Sequence, residues 1–163
     1  MASSVTKLNL RDLPKAYQDL GKRLMPAAMR GALRGALRAV STMQRATTEE
    51  GVVNTGFYRM AWKSEALPDG ARVYNAAKYA GVIEYGRRPG SFPPVSVIEH
   101  WAQRRLGLSK KEARAAAFPI ARAIARRGIP GKRVLTGRRP QLDQDFLEEV
   151  RKELDLELQK GLP

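Results

Sequence analysis

The chain has 163 residues and a mass of 18.1 kDa; it is 43% hydrophobic, has no cysteine, and carries a net charge of +14 from 30 basic and 16 acidic side chains. That length and apolar content suit a packed single domain, and the lack of cysteine excludes a disulfide framework, thiolate metal sites and a thiol nucleophile, as fits a reducing cytoplasm. The longest charge-free stretch, residues 89–98, falls far short of the ~20 apolar residues of a membrane span, and residues 1–15 hold no apolar run like a secretory leader, so a soluble product with no membrane partner is expected.

Charge is unevenly spread. Residues 141–163 hold seven acids against Arg151, Lys152 and Lys160, a net of −4, which leaves +18 on residues 1–140. So basic a body attracts polyanions, unless the excess serves solubility or is neutralised by the chain's own acidic tail or by neighbouring subunits.

From Leu13 to about Thr47 the periodicity is helical, with Met29, Ala32, Leu33, Ala36, Val40 and Met43 on one side. Arg23, Arg30, Arg34, Arg38 and Arg45 fall on the other side, and the Arg30–Arg34–Arg38 stripe lacks the i+4 glutamates that would satisfy it within the helix. This stripe is expected to be an interaction face, for another subunit or for DNA. Pro26 is expected to separate a short first helix from a longer second one. The repeat Gly31-Ala32-Leu33-Arg34, Gly35-Ala36-Leu37-Arg38 places two glycines where they cost helix stability, which suggests close approach by another backbone.

Residues 60–67 and 71–77 read as strands joined at Pro68-Asp69-Gly70, and Tyr79–Tyr85, rich in aromatic and β-branched residues, reads as a third. Arg87 to Pro94 is a proline-punctuated loop. A helix is expected over 95–106, carrying Val97, Ile98 and Trp101. Ser109 and Glu112 form a capping-box signature for the next helix, which buries Ala113, Ala117, Ile120 and Ile124, shows Arg122 and Arg126 outward, kinks at Pro119 and ends at Gly128. Gly128 to Pro140 reads as a basic loop in which Lys132, Arg133, Arg138 and Arg139 join the candidate interaction residues. In the last helix, 141–159, Leu147, Val150, Leu154 and Leu158 form the expected packing face. Together these predict one α+β domain, with a long amphipathic N-terminal helix packed on a small antiparallel sheet, further helices, and an acidic C-terminal helix. Residues 1–140 form the basic core and 141–163 a helical arm.

Chemistry is sparse. A single histidine, His100, has no placeable nucleophile beside it, three-ligand metal sites draw on more His or Cys than the chain owns, and the glycine-rich stretches match neither phosphate-binding nor dinucleotide motifs. Glu84 is better read as an ion-pair partner than as a catalytic carboxylate, and a small nuclease built on Glu84 and His100 is the weakest reading. No enzyme, cofactor or metal is expected.

Three pieces in order then carry a resemblance. These are Asn54-Thr55-Gly56-Phe57-Tyr58-Arg59; Lys78-Tyr79-Ala80-Gly81-Val82-Ile83-Glu84-Tyr85-Gly86, the most specific; and, after a proline-containing loop and helices, Gly128 to Arg133. Over roughly residues 10–150 the chain resembles the tail-component family of lambda-like tailed bacteriophages, whose members are minor tail, tail-completion or neck proteins. The family's motif residues fall here on Thr55, Gly56, Tyr79, Ala80, Glu84, Tyr85 and Gly86. The sequence departs from the family where Val134-Leu135-Thr136 replaces a short aromatic-proline motif, and in its longer final acidic helix. The resemblance implies a virion protein made in the host cytoplasm. It would form a ring of its own copies at the head–tail junction, contact neighbouring neck and tail proteins, and touch the genomic DNA non-specifically as it passes. The alternative is a basic nucleic-acid-binding accessory protein.

Overall fold

Alanine and glycine recur at three- and four-residue steps along the longest helix, α1 (Leu13–Glu49), and these small residues decide what it packs against. The structure is a computed structural model describing residues 13–160, with side chains from Tyr17 onward. The leader-free reading of the N-terminus rests mostly on residues 1–12, outside the described residues. The chain divides into two compact units, each discontinuous in sequence: residues 1–39, 64–73 and 141–163 form the first, and 40–63 with 74–140 the second. The C-terminal arm, residues 141–163, shares its unit with residues 1–39 of the N-terminal region.

In the first unit α1 buries Ala27, Ala32, Ala36 and Ala39. Gly31 and Gly35 face α6 (Arg139–Gln159): a Cβ built on Gly31 would lie 2.5 Å from the Val150 Cα, and one on Gly35 3.0 Å from the Phe146 Cα. The close backbone approach expected from the glycines is therefore present, and the partner is α6. Leu33, expected inside, is 39% exposed, because the alanine–glycine stripe alone permits so short a separation. The break expected at Pro26 does not occur, and α1 runs through it. Pro26 itself is exposed, while the turns on either side are fixed by the buried Ala27 and by Arg23, which binds Glu157 of α6.

Helix α6 starts at Arg139, two residues earlier than expected, and its inward face differs from the expected one. Leu147 and Leu158 are 65% and 50% exposed and Val150 and Leu154 half-buried, whereas Glu153 and Glu157 are buried. Acids occupy the inside because the arginines of α1 wait for them there.

The second unit begins with the end of α1, where Met43 and Thr47 are fully buried. A short helix α2 (Phe57–Met60) leads into a hairpin, β1 (Trp62–Leu67) with β2 (Gly70–Asn75), whose outer part, 64–73, belongs to the first unit. Trp62 is buried and its Nε1 donates to the Thr47 hydroxyl at 2.9 Å, which in turn donates to the Met43 carbonyl at 2.7 Å. The C-terminal end of α1 thus holds the start of the hairpin.

The expected third strand is a helix, α3 (Ala80–Tyr85). Ala80, Ile83 and Glu84 are its inward residues, spaced i, i+3, i+4, and the needs of buried Glu84 override the β-forming character of Val82, Ile83 and Tyr85. In place of a three-stranded sheet there are two antiparallel ribbons. The second pairs β3 (Gly86–Arg87) with β4 (Ile129–Pro130), so the expected basic loop after Gly128 is in part a strand, followed by a 3-10 turn at Thr136–Arg138. Helices α4 (Val95–Leu106) and α5 (Lys110–Arg127) pack through the small residues Ala102, Ala113, Ala117 and Ala121, with Ile120 and Ile124 half-buried. Both halves of the Ser109–Glu112 capping box are made, Gly128 ends α5, and the helix is continuous through Pro119. The fold class is α+β.

Candidate functional site

The three sequence pieces of the resemblance meet in the second unit. Gly56 adopts φ 82°, a left-handed conformation that glycine enters without strain, and it starts α2, while the Thr55 hydroxyl accepts from the Phe57 amide at 3.4 Å. This turn sets Phe57 and Tyr58 against Tyr79 of the second piece, with ring centroids 6.4 and 6.1 Å apart. Tyr58 also meets Trp62 edge-on at 5.9 Å. Burial, and then the nearby Glu84 charge, push the Tyr58 hydroxyl up to about 12.

Glu84 ties the second piece to the residues just after the third, at Leu135 and Thr136, where the sequence departs from the family. Its carboxylate accepts from the Leu135 amide at 2.9 Å, the Thr136 amide at 2.8 Å and the Thr136 hydroxyl. Burial raises its pKa, but these hydrogen bonds outweigh burial and hold the carboxyl below its ordinary value. The backbone adds Lys132 N to Ile83 O at 2.7 Å and Arg133 N to Glu84 O at 3.1 Å. A Cβ on Gly86 would strike the Ile129 carbonyl, and one on Gly131 the Glu84 carbonyl. Tyr85, by contrast, is 80% exposed. Glu84 is thus an acceptor with a full set of donors, not an ion-pair partner. The one histidine, His100, is exposed. Among the described residues no three His, Cys, Asp or Glu side chains converge to hold a metal ion, and no helix is long and apolar enough to cross a membrane.

The arginine stripe divides. In the first unit Arg23 binds Glu157 at 3.0 Å, Arg30 binds Glu153 at 3.1 Å and Glu157 at 3.4 Å, Arg34 binds Glu153, and Arg38 reaches Asp145, Glu148 and Glu149 at 3.1–3.4 Å. The lone helix lacked acids at i+4; α6 supplies them from more than a hundred residues away. Hydrogen bonds from Lys160 and Arg23 hold the Glu157 carboxyl down at about 2. In the second unit Arg45 is exposed beside Glu49 and Arg59 in an open groove, Arg138 binds Glu49 at 2.6 Å, Lys132 and Arg133 point outward from the clasp, and Arg139 is exposed at the start of α6.

Net charge follows this division. The first unit has 12 Lys and Arg against 11 Asp and Glu, net +1, and the second has 18 against 5, net +13. Basic residues that the sequence reading left off the candidate set stand on α5, where Arg114, Arg122, Arg126 and Arg127 are all exposed. Their signal in the sequence is the outward spacing of Arg122 and Arg126, sparser than the arginine stripe of α1. The second unit also holds an apolar cleft of about 720 Å³ between Val52, Val97, Trp101, Ile120 and Ile124, rimmed by Arg104, Arg105 and Lys132. No protein-family model, no curated protein and no solved structure matches this chain.

Proposed function

We propose that the chain is a non-catalytic structural protein of a tailed-phage head–tail junction, of the neck or tail-completion kind, which closes into a ring that admits DNA. The single observation that supports this reading best is the meeting of its three family-like segments, the first on Tyr79 through ring contacts and the third on Ile83 and Glu84 through backbone hydrogen bonds. A motif whose one buried carboxylate is spent on backbone amides behaves as a fold-defining clasp, not as a reaction centre. Ring formation has a physical basis in α6, which turns Leu147, Leu156 and Leu158 outward beside Glu148 and Asp155. An acidic, leucine-bearing helix of one copy suits the apolar, arginine-rimmed cleft of the next, and a heterologous contact of that kind makes a ring when its rotation closes.

Deleting the gene from a phage that carries it tests the proposal. Filled heads and separate, complete tails are expected, with joining restored by the intact gene supplied in trans. Normally joined, infectious particles from the deletion would overturn it.

A second reading, a nucleic-acid-binding accessory protein, draws on the +13 of the second unit. Binding that falls steeply between about 50 and 200 mM salt favours it, and normal virion morphology without the gene would leave it as the stronger of the two.

A further inference from the structure

With the α1 stripe consumed by α6, the uncompensated cations of the second unit gather on α5. Arg114, Phe118, Arg122 and Arg126 recur at four-residue steps, so their side chains line one exposed face about 6 Å apart along the axis. Arg127 flanks the same groove, about 620 Å³ in volume, that Phe118, Arg122 and Arg126 line. Among the described residues none of these arginines has an ion-pair partner, and the one acid of α5, Glu112, is held at the far end by its capping box.

Phe118 is 56% exposed and lies 5.4 Å, centroid to centroid, from Phe92, itself 44% exposed. The loop bearing Phe92 is fixed on α5: the Gly90 amide donates to the Ala125 carbonyl at 2.8 Å, and the Arg87 side chain donates to the Ser91 carbonyl. Two aromatic rings left half in water on a fixed backbone, amid arginines lacking carboxylates, are poor core but a good stacking platform.

We infer that this face of α5 is a binding site for single-stranded nucleic acid. Arg114, Arg122, Arg126 and Arg127 contact phosphates, and Phe118 with Phe92 stacks unpaired bases. The combination of a positive track with exposed rings is what sequence-tolerant single-strand binding uses. The inference is independent of the virion proposal, because it concerns the purified chain and its own surface.

The test is fluorescence anisotropy of a labelled oligothymidylate, and of a duplex of equal length, titrated with the full chain. Single-strand binding should weaken about tenfold in F118A. In an R122A/R126A/R127A variant the slope of log affinity against log salt should fall by about two. R59A/K63A/K78A, which removes the same charge from exposed positions of the same unit outside α5, should change affinity several-fold less than the α5 variant. All these positions are exposed, and circular dichroism should show unchanged helix content. Equal weakening in the control variant would reduce the site to diffuse charge and overturn the inference. So would binding indifferent to Phe118, or capture by phosphatidylserine vesicles in place of the oligonucleotide.

Discussion

Gly21 and Gly31 lie in the same helix, and their expected responses to an added methyl group have opposite signs. Nothing lies within 4 Å of a Cβ built on Gly21, so Gly21→Ala should gain about 0.5–1 kcal/mol of helix propensity. At Gly31 the methyl would meet the Val150 backbone at 2.5 Å, and the overpacking cost of about 1–3 kcal/mol should exceed that gain. Urea midpoints of the two variants check both signs. Glu84 gives a second residue-scale expectation. Glu84→Ala leaves the Leu135 and Thr136 amides without their acceptor and should cost about 2–3 kcal/mol, while Glu84→Gln, which keeps one acceptor oxygen, should cost about half as much. A catalytic carboxylate would behave otherwise, with Gln as damaging as Ala to function and harmless to stability.

Among the elements, the sequence was most legible where local chemistry acts alone. The Ser109–Glu112 capping box, the α4 boundaries, the stop at Gly128 and the turn before Gly70 all depend on neighbours within a few residues. It was least legible where a distant residue decides. Glu84 finds its donors some 50 positions away, which turns an apparent strand into α3. The inward face of α6 is expected to be its leucines, whereas Glu153 and Glu157 are buried because charged residues go inside when paired, and their partners lie on α1. Pro26 misled for the same reason, since packing against α6 holds a helix that local rules would break.

The α1–α6 pairing has a pH signature. The Glu157 carboxyl is depressed from 4.5 to about 2, so its contribution is fully present above the unfolded value and is lost as pH falls from about 4.5 toward 2. Thermal melts of the intact chain and of E157Q should therefore differ at pH 6 and converge near pH 2. Parallel curves across that range would show that Glu157 does not carry the linkage. The same pairing makes removal of 141–163 a poor probe of assembly, since it would strip the partners of Arg23, Arg30, Arg34 and Arg38 and unfold the first unit. L147D/L158D is cleaner. Both leucines are at least half exposed, so the variant should melt within about 0.5 kcal/mol of the parent and still fail to assemble.

For the whole molecule, charge is divided between the two units. A nearly neutral unit spends its cations on its own acids, and a unit of net +13 keeps them available. Self-repulsion of so large a net charge opposes self-association until an anionic or acidic partner is present, as the proposed ring component would require. The excess is legible in the sequence, but which arginines are neutralised is a property of tertiary pairing and not of composition.

The most direct measurement is quantitative mass spectrometry of purified tailed particles, made with the parent protein and with L147D/L158D. The junction role predicts a handful to about a dozen copies per particle with the parent. With the variant it predicts folded chain in the lysate but none on tails. Particles that lack the parent protein, or that carry the variant at the same copy number, would contradict it.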